Sequence, residues 1–249
     1  MNHRLGLTIV AGVMAAGLLD TAHAQPLTPV TDAVLQDPDP ADWLSWRRTL
    51  DAWGFSPLDE IDRGNVGQLR LAWSWGLDPG ISQTTPIVHD GVMFIANPGN
   101  VVQALDAGTG DFIWEYRPEM DERRRTSAQL RSLAIYEDLI IVNTFDAHVV
   151  GLDVRTGEGG WDTPAAPPGQ EGYGFSSGPV IADGVIVSGL RGCERFREDT
   201  CYIIGVDGRS GQVLWRTSTV ARPGERGGDT WGDLPLLMRA GADAWIPGS

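Results

Sequence analysis

The chain has 249 residues, a formal net charge of −14, and 32 glycines, 16 prolines and 10 tryptophans. That length gives room for one large domain, and so acidic a balance argues against nucleic acid or an anionic membrane surface as partner. Long helical periodicity is absent, and the wealth of Gly, Pro and Trp points to an all-β chain.

The first 24 residues have a basic Arg4, an apolar run from Leu5 to Leu19, and Ala22-His23-Ala24 before Gln25. This pattern reads as a secretory signal peptide cleaved after Ala24, with residues 25–249 as the mature chain in the periplasm. The apolar run is shorter than a typical membrane span, a membrane anchor being its other reading, and no later segment resembles a span.

Further along come three apolar pairs with a turn between them: Pro86–Ile95 around Asp90-Gly91, Leu133–Val142 around Glu137-Asp138, and Pro179–Val187 around Asp183-Gly184. Asp-Gly between β-branched runs is a strong hairpin signal. After each pair the chain repeats a frame, small-x-Asp-x-x-Thr/Ser-Gly-x-x-x-Trp. Asp106, Asp153 and Asp207 start it and Trp114, Trp161 and Trp215 close it, in steps of 47 and 54 residues. The Asp and Thr side chains can bond the turn backbone, and the glycine supplies a positive φ. A second hairpin per repeat follows, hence a four-stranded sheet with its Trp in a fixed slot against the neighbouring unit. Sheets of that size repeated radially are β-propeller blades. A β-sandwich with chance turn similarity is the competing architecture. Three copies do not close a ring, and Trp245–Ser249 reads as the start of another blade. The expectation is therefore the N-terminal part, about three to four blades, of a longer protein, or a truncated gene product.

Cys193 and Cys201 flank one short loop. In an exported protein such a pair reads as a disulfide, with two free thiols or a metal pair as the alternatives. Closing so small a loop contributes about 2.5 kcal/mol in the chain-entropy picture. No Cys-x-x-Cys-His occurs, so no covalent haem is encoded.

The Asp-x-x-Thr-Gly-x-x-x-Trp frame resembles the tryptophan-docking motif of the pyrroloquinoline quinone (PQQ) alcohol dehydrogenases of the methanol/ethanol group. The opening Asp37–Leu58 run, Asn65-Val66 and Leu71-Ala-Trp-Ser-Trp75 resemble the opening signature of that group, and the stretch Thr217–Asp233 resembles a segment of one of its branches. The resemblance covers nearly all of residues 36–249. It implies an eight-bladed propeller that oxidises alcohols with PQQ and a metal, Ca²⁺ or a lanthanide, on its axis. Electrons then leave to a cytochrome c or a quinone.

Carried over by position, Glu194 in Arg191-Gly192-Cys193-Glu194 falls on a metal-binding glutamate, a hard oxygen ligand suited to Ca²⁺. Gly192 and Cys193 take the neighbouring positions beside the cofactor. Arg131 falls on the arginine that pairs a PQQ carboxylate, Thr144 and Ser176 on cofactor-bonding hydroxyls, and Trp245 on the tryptophan under the PQQ ring. Gln83 stands where many members have a glutamate. Arg125 and Thr126 replace a pair of adjacent cysteines that cover the other cofactor face, and Asp243 replaces a threonine two before the stacking tryptophan. The family's catalytic aspartate lies downstream of that tryptophan, so the resemblance leaves the catalytic base unassigned and implies that the chain alone is inactive. Two other readings remain at this point: a non-catalytic propeller scaffold of the outer-membrane assembly type, and a decayed gene fragment.

Overall fold

The computed structural model describes residues 27–120, 127–166, 172–193 and 202–248. Its strands form three four-stranded antiparallel sheets, each a simple meander. The first holds β1 (Ile87–His89), β2 (Val92–Asn97), β3 (Val101–Asp106) and β4 (Phe112–Tyr116). The second holds β5 (Ala134–Tyr136), β6 (Leu139–Asn143), β7 (His148–Asp153) and β8 (Gly159–Pro164). The third holds β9 (Val180–Ala182), β10 (Val185–Gly189), β11 (Tyr202–Asp207) and β12 (Val213–Ser218). These are propeller blades, as the repeat predicts, and the sandwich alternative is excluded.

The three closing tryptophans are equivalent in register. Trp114 faces Ala104, Trp161 faces Gly151 and Trp215 faces Gly205, and each pairing is followed by a bulge at the next residue of the third strand. The frame's small residue is thereby explained. A Cβ on Gly151 would lie 2.6 Å from the Trp161 ring and one on Gly205 would lie 2.2 Å from Trp215, so the indole needs that space.

Each indole then crosses to the next blade. A Cβ on Gly157 would lie 2.5 Å from Trp114, and one on Gly211 would lie 2.6 Å from Trp161. The same geometry brings Trp73 against Gly110, at 2.7 Å. All three glycines have positive φ, 77°, 72° and 72°, so both conformation and space demand glycine there. Trp73 Nε1 donates to the Ala107 carbonyl at 3.1 Å and Trp114 Nε1 to Val154 at 3.0 Å, whereas Trp161 Nε1 is buried without a partner. Trp73, read from sequence only as part of the opening resemblance, thus docks on the first blade from the segment that precedes it.

Within each turn the aspartate does the same work. Asp106 Oδ1 accepts the amides of Gly108 and Thr109, Asp153 Oδ1 those of Arg155 and Thr156, and Asp207 Oδ1 those of Arg209 and Ser210. Bonds from Thr109 hold the Asp106 carboxyl below the usual aspartate range, and bonds from Ser210 do so for Asp207. At Asp153 burial pushes upward, but the Arg155 side chain and amide outweigh it.

The core joins all three blades, through Phe94, Ile135, Ile140, Leu152, Ile186 and Val206 among others. The first strand of each blade lies on one edge, with Thr85 and Ser132 paired in parallel across blades one and two. Every β1-, β5- and β9-type strand therefore enters at one end of the blades and turns back at the other. At the turning end the N-terminal segment is laid across all three. Thr31 caps the short helix α1 (Asp32–Gln36), whose Asp32 accepts from Tyr136 Oη and from the Gly184 amide. Trp43 pairs with Val88, and buried Asp42 meets His89 Nδ1 at 2.8 Å. Among the described residues no helix is long and apolar enough to cross a membrane.

Two outcomes follow for stability. Trp114 is 6% exposed and Trp215 is 40% exposed. Trp114→Ala should cost about 3–5 kcal/mol, and Trp215→Ala about half of that or less; urea unfolding of the two variants checks the order. Lowered folded-state values at Asp106, Asp153 and Asp207 stabilise the fold fully above the unfolded aspartate value of about 3.9. That contribution is lost as pH falls through the lower folded values. Asp207→Asn should flatten the decline in urea midpoint below about pH 4, with little slope change at neutral pH.

Candidate functional site

The strand-entry end of the blades collects the residues singled out from sequence. Arg131 and Ser132 stand at the entry to β5, Ser176, Ser177 and Gly178 at the entry to β9, and Gln83, Thr84 and Thr85 at the entry to β1. Gln83 is exposed, and two residues on the Thr85 amide donates to the Arg131 carbonyl at 2.8 Å. Gly178 sits so close to the next inner strand that a Cβ there would lie 1.9 Å from Ser132 Oγ. This hydroxyl is buried and makes no hydrogen bond, as is true of Thr84 Oγ1 at the entry to the first blade.

Arg131 is the centre of the cluster. Its Nη1 donates to the Ser176 carbonyl at 2.8 Å, and its guanidinium lies over the Trp245 ring, 4.9 Å from the centroid. Three predicted cofactor residues, distant in sequence, are therefore in contact. The Ser176 contribution is its backbone carbonyl rather than its hydroxyl. Burial alone pulls the Arg131 pKa down, and no carboxylate among the described residues pairs with it. Trp245 is 46% exposed, which leaves indole surface open. Half-buried cation and open aromatic face together suit a flat, anionic ligand.

Trp245 is delivered by a strap, residues 241–245, that runs along the 189–193 loop. The Gly241 amide donates to the Cys193 carbonyl at 2.8 Å and the Ala244 amide to Leu190 at 3.2 Å. Asp243 Oδ1 accepts from the Cys193 amide at 2.7 Å, and Oδ2 from the Gly192 amide at 3.4 Å. Gly192 has φ 105°, and a Cβ there would lie 2.5 Å from the Gly172 carbonyl oxygen, so the loop conformation demands glycine. The carboxylate at 243 is thus turned onto backbone donors.

Thr144 lies farther round the same end. Its hydroxyl meets the Asp146 carboxylate at 2.5 Å and accepts from the His148 amide at 3.0 Å, closing its own turn. It borders a cavity of about 360 Å³ between the first two blades, lined also by Tyr116, Arg117, His148 and Asp162. Glu194, Cys201, Arg125, Thr126 and residues 1–24, the expected signal, lie outside the described residues, while Cys193 is buried beside the strap. Sequence reasoning did not foresee the Asp243 bonds to the loop or the unbonded Ser132.

The family profile "Glucose/ethanol/alcohol dehydrogenase, beta-propeller domain", a PQQ family, matches residues 43–249, and the chain belongs to that family. The quinohemoprotein alcohol dehydrogenase ADH-IIG of Pseudomonas putida is 34% identical over 230 residues, covering 85% of this chain and 31% of the relative. The dehydrogenase subunit of the quinone alcohol dehydrogenase of Komagataeibacter europaeus is 31% identical and covers 98% of this chain and 35% of the relative. The solved structure of ADHIIG from Pseudomonas putida HK5 superposes with a TM-score of 0.78 at 32% identity, covering 88% of this chain and 34% of that one. The chain spans about a third of the length of these relatives.

Gly178→Ala tests the close approach at the rim. The added methyl would overlap Ser132, at 1.9 Å from Oγ and 2.3 Å from the carbonyl oxygen. It should destabilise by about 1–3 kcal/mol, read in denaturant unfolding. Gly76→Ala, which meets nothing within 4 Å, is the control.

Proposed function

We propose that the protein acts as a periplasmic, PQQ-dependent oxidoreductase on the CH–OH group of alcohols, exported by residues 1–24 and cut after Ala24. The observation that carries the reading is the Arg131 guanidinium, half-buried, unpaired with any described carboxylate and stacked on Trp245. Relatives of the same family whose names describe alcohol dehydrogenases support the substrate class.

The residues fit the cofactor by their chemistry. Trp245 supplies a flat apolar floor for a fused ring. Arg131 offers a planar fork of donors suited to a carboxylate. Gln83, Thr144, Ser176, Gly192 and Cys193 complete the cofactor's surroundings in this reading, and Glu194 is the metal ligand for Ca²⁺ or a lanthanide. A disulfide between Cys193 and Cys201 would hold the Glu194 loop in shape. When bound, PQQ supplies a two-electron acceptor and the metal a Lewis acid beside it. The part of this chain would be to bind and orient: Arg131 would hold a carboxylate of the cofactor and Trp245 would offer its ring a stacking surface. A cytochrome c or a quinone is the proposed electron acceptor.

The test is cofactor and metal binding, measured by PQQ absorbance at several Ca²⁺ concentrations. Trp245→Ala should weaken PQQ binding by about 1–3 kcal/mol, the scale of aromatic contacts with flat bases. Arg131→Lys should also weaken it, since a point charge cannot reproduce the fork. Glu194→Gln should lower Ca²⁺ affinity while the urea midpoint stays at the parent value. Parent-like binding in all three variants would overturn the proposal.

A further inference from the structure

We infer that Asp243 is a positioning residue for the cofactor floor: its carboxylate locks the 241–245 strap onto the 192–193 backbone and thereby sets the Trp245 indole against Arg131. The inference rests on the cofactor reading of Trp245.

The geometry supports a role distinct from simple packing. A carboxylate two residues before an aromatic floor for an anionic ligand is electrostatically unfavourable if it points at that ligand. Here its two oxygens point instead at consecutive amides, 2.7 Å from Cys193 N and 3.4 Å from Gly192 N. Charge-assisted bonds of this kind are stronger than neutral ones and spread the negative charge over backbone dipoles. The strap leaves no slack around this contact. Ala244 Cβ sits 2.1 Å from where a Cβ on Gly189 would be, and the Ala244 and Gly241 amides are bonded to Leu190 and Cys193. Trp245, one residue beyond, meets the guanidinium at 4.9 Å. The carboxylate at 243 offers one oxygen to each amide, with the Cys193 bond the short one and the Gly192 contact longer.

Two physical roles for Asp243 predict opposite results. If it tethers, removing its oxygens loosens Trp245 and weakens cofactor binding. If it chiefly repels an anion, removing its charge tightens binding. The experiment measures PQQ affinity with Ca²⁺ for the parent, Asp243→Ala, Asp243→Asn, Trp245→Ala and the Asp243→Ala/Trp245→Ala double variant, each first checked for a parent-like far-ultraviolet circular dichroism spectrum. Tethering predicts about a tenfold weakening in Asp243→Ala, the scale of a hydrogen bond to a charged group. It predicts an intermediate loss, about threefold, in Asp243→Asn, which keeps one oxygen for the Cys193 amide. It also predicts no further loss when Asp243→Ala is added to Trp245→Ala, because the residue acts through the indole. A role in bulk stability alone would give additive losses instead. Tighter binding in Asp243→Asn, unchanged binding in Asp243→Ala, or additivity in the double variant overturns the inference and leaves the cofactor reading standing. Parent-like binding in Trp245→Ala overturns both. Should Asp243→Ala fail to fold, Asp243→Asn alone still separates weaker from tighter binding.

Discussion

The indole of Trp114, like that of Trp161, touches two blades at once. It lies over the small residue opposite it in its own sheet and over a left-handed glycine in the next blade's turn. For Trp114 these are Ala104 and Gly157, and for Trp161 they are Gly151 and Gly211. The two contacts fix the distance between neighbouring blades and their relative rotation, because a flat ring cannot be wedged between two backbones in more than one way. The bulge in each third strand, one step from the Trp pairing, lets the turn reach back toward the preceding blade. Everything at the strand-entry end inherits that geometry. Thr85 pairs with Ser132, and Gly178 approaches it, only because the blades are held at this pitch.

The repeat was legible in sequence because its chemistry is local. An aspartate that caps two amides, a glycine with positive φ and a tryptophan at fixed offset all lie within nine residues. The Trp73 contact was not legible as part of a repeat, although its indole docks on Gly110 like the others. The reason is a longer turn. Asp62 Oδ1 accepts the amides of Gly64 and Asn65, as Asp106 does with Gly108 and Thr109, but Trp73 follows at a greater offset. The Asp-x-Gly-Asn run is the signal that could have revealed it. The small residue at the head of each frame was visible as a pattern, but its purpose required the register.

The rim was legible in part. Arg131, Ser176 and Trp245 were named through resemblance, and the fold brings them into contact from positions 45 and 114 residues apart. No local pattern announces this, because the contact arises from equivalent entry positions of successive blades plus the strap. The Asp243 bonds were equally invisible. In sequence that residue reads only as a misplaced charge, and it is the backward course of the strap along Gly189–Cys193 that turns its oxygens onto backbone amides. Thr144 marks the opposite case: its hydroxyl closes a local turn with Asp146 and His148, an interaction that the short Thr-Phe-Asp-Ala-His run already makes available.

The charge of the molecule gives the rim its meaning. The chain has 33 acidic residues against 19 basic ones, so carboxylates are in excess and a surface arginine has acceptors at hand. Arg117 takes Glu115 and Asp78, Arg155 takes Asp153 and Arg209 takes Glu137. Arg131 departs from that habit. It is held by one backbone carbonyl and one indole face, and burial alone lowers its pKa, without a counter-charge among the described residues. Arg48 and Arg239 are likewise held by backbone carbonyls, so what sets Arg131 apart is the exposed Trp245 face beside it. In the proposed reading, that open face and the guanidinium together receive a flat anion from outside the chain.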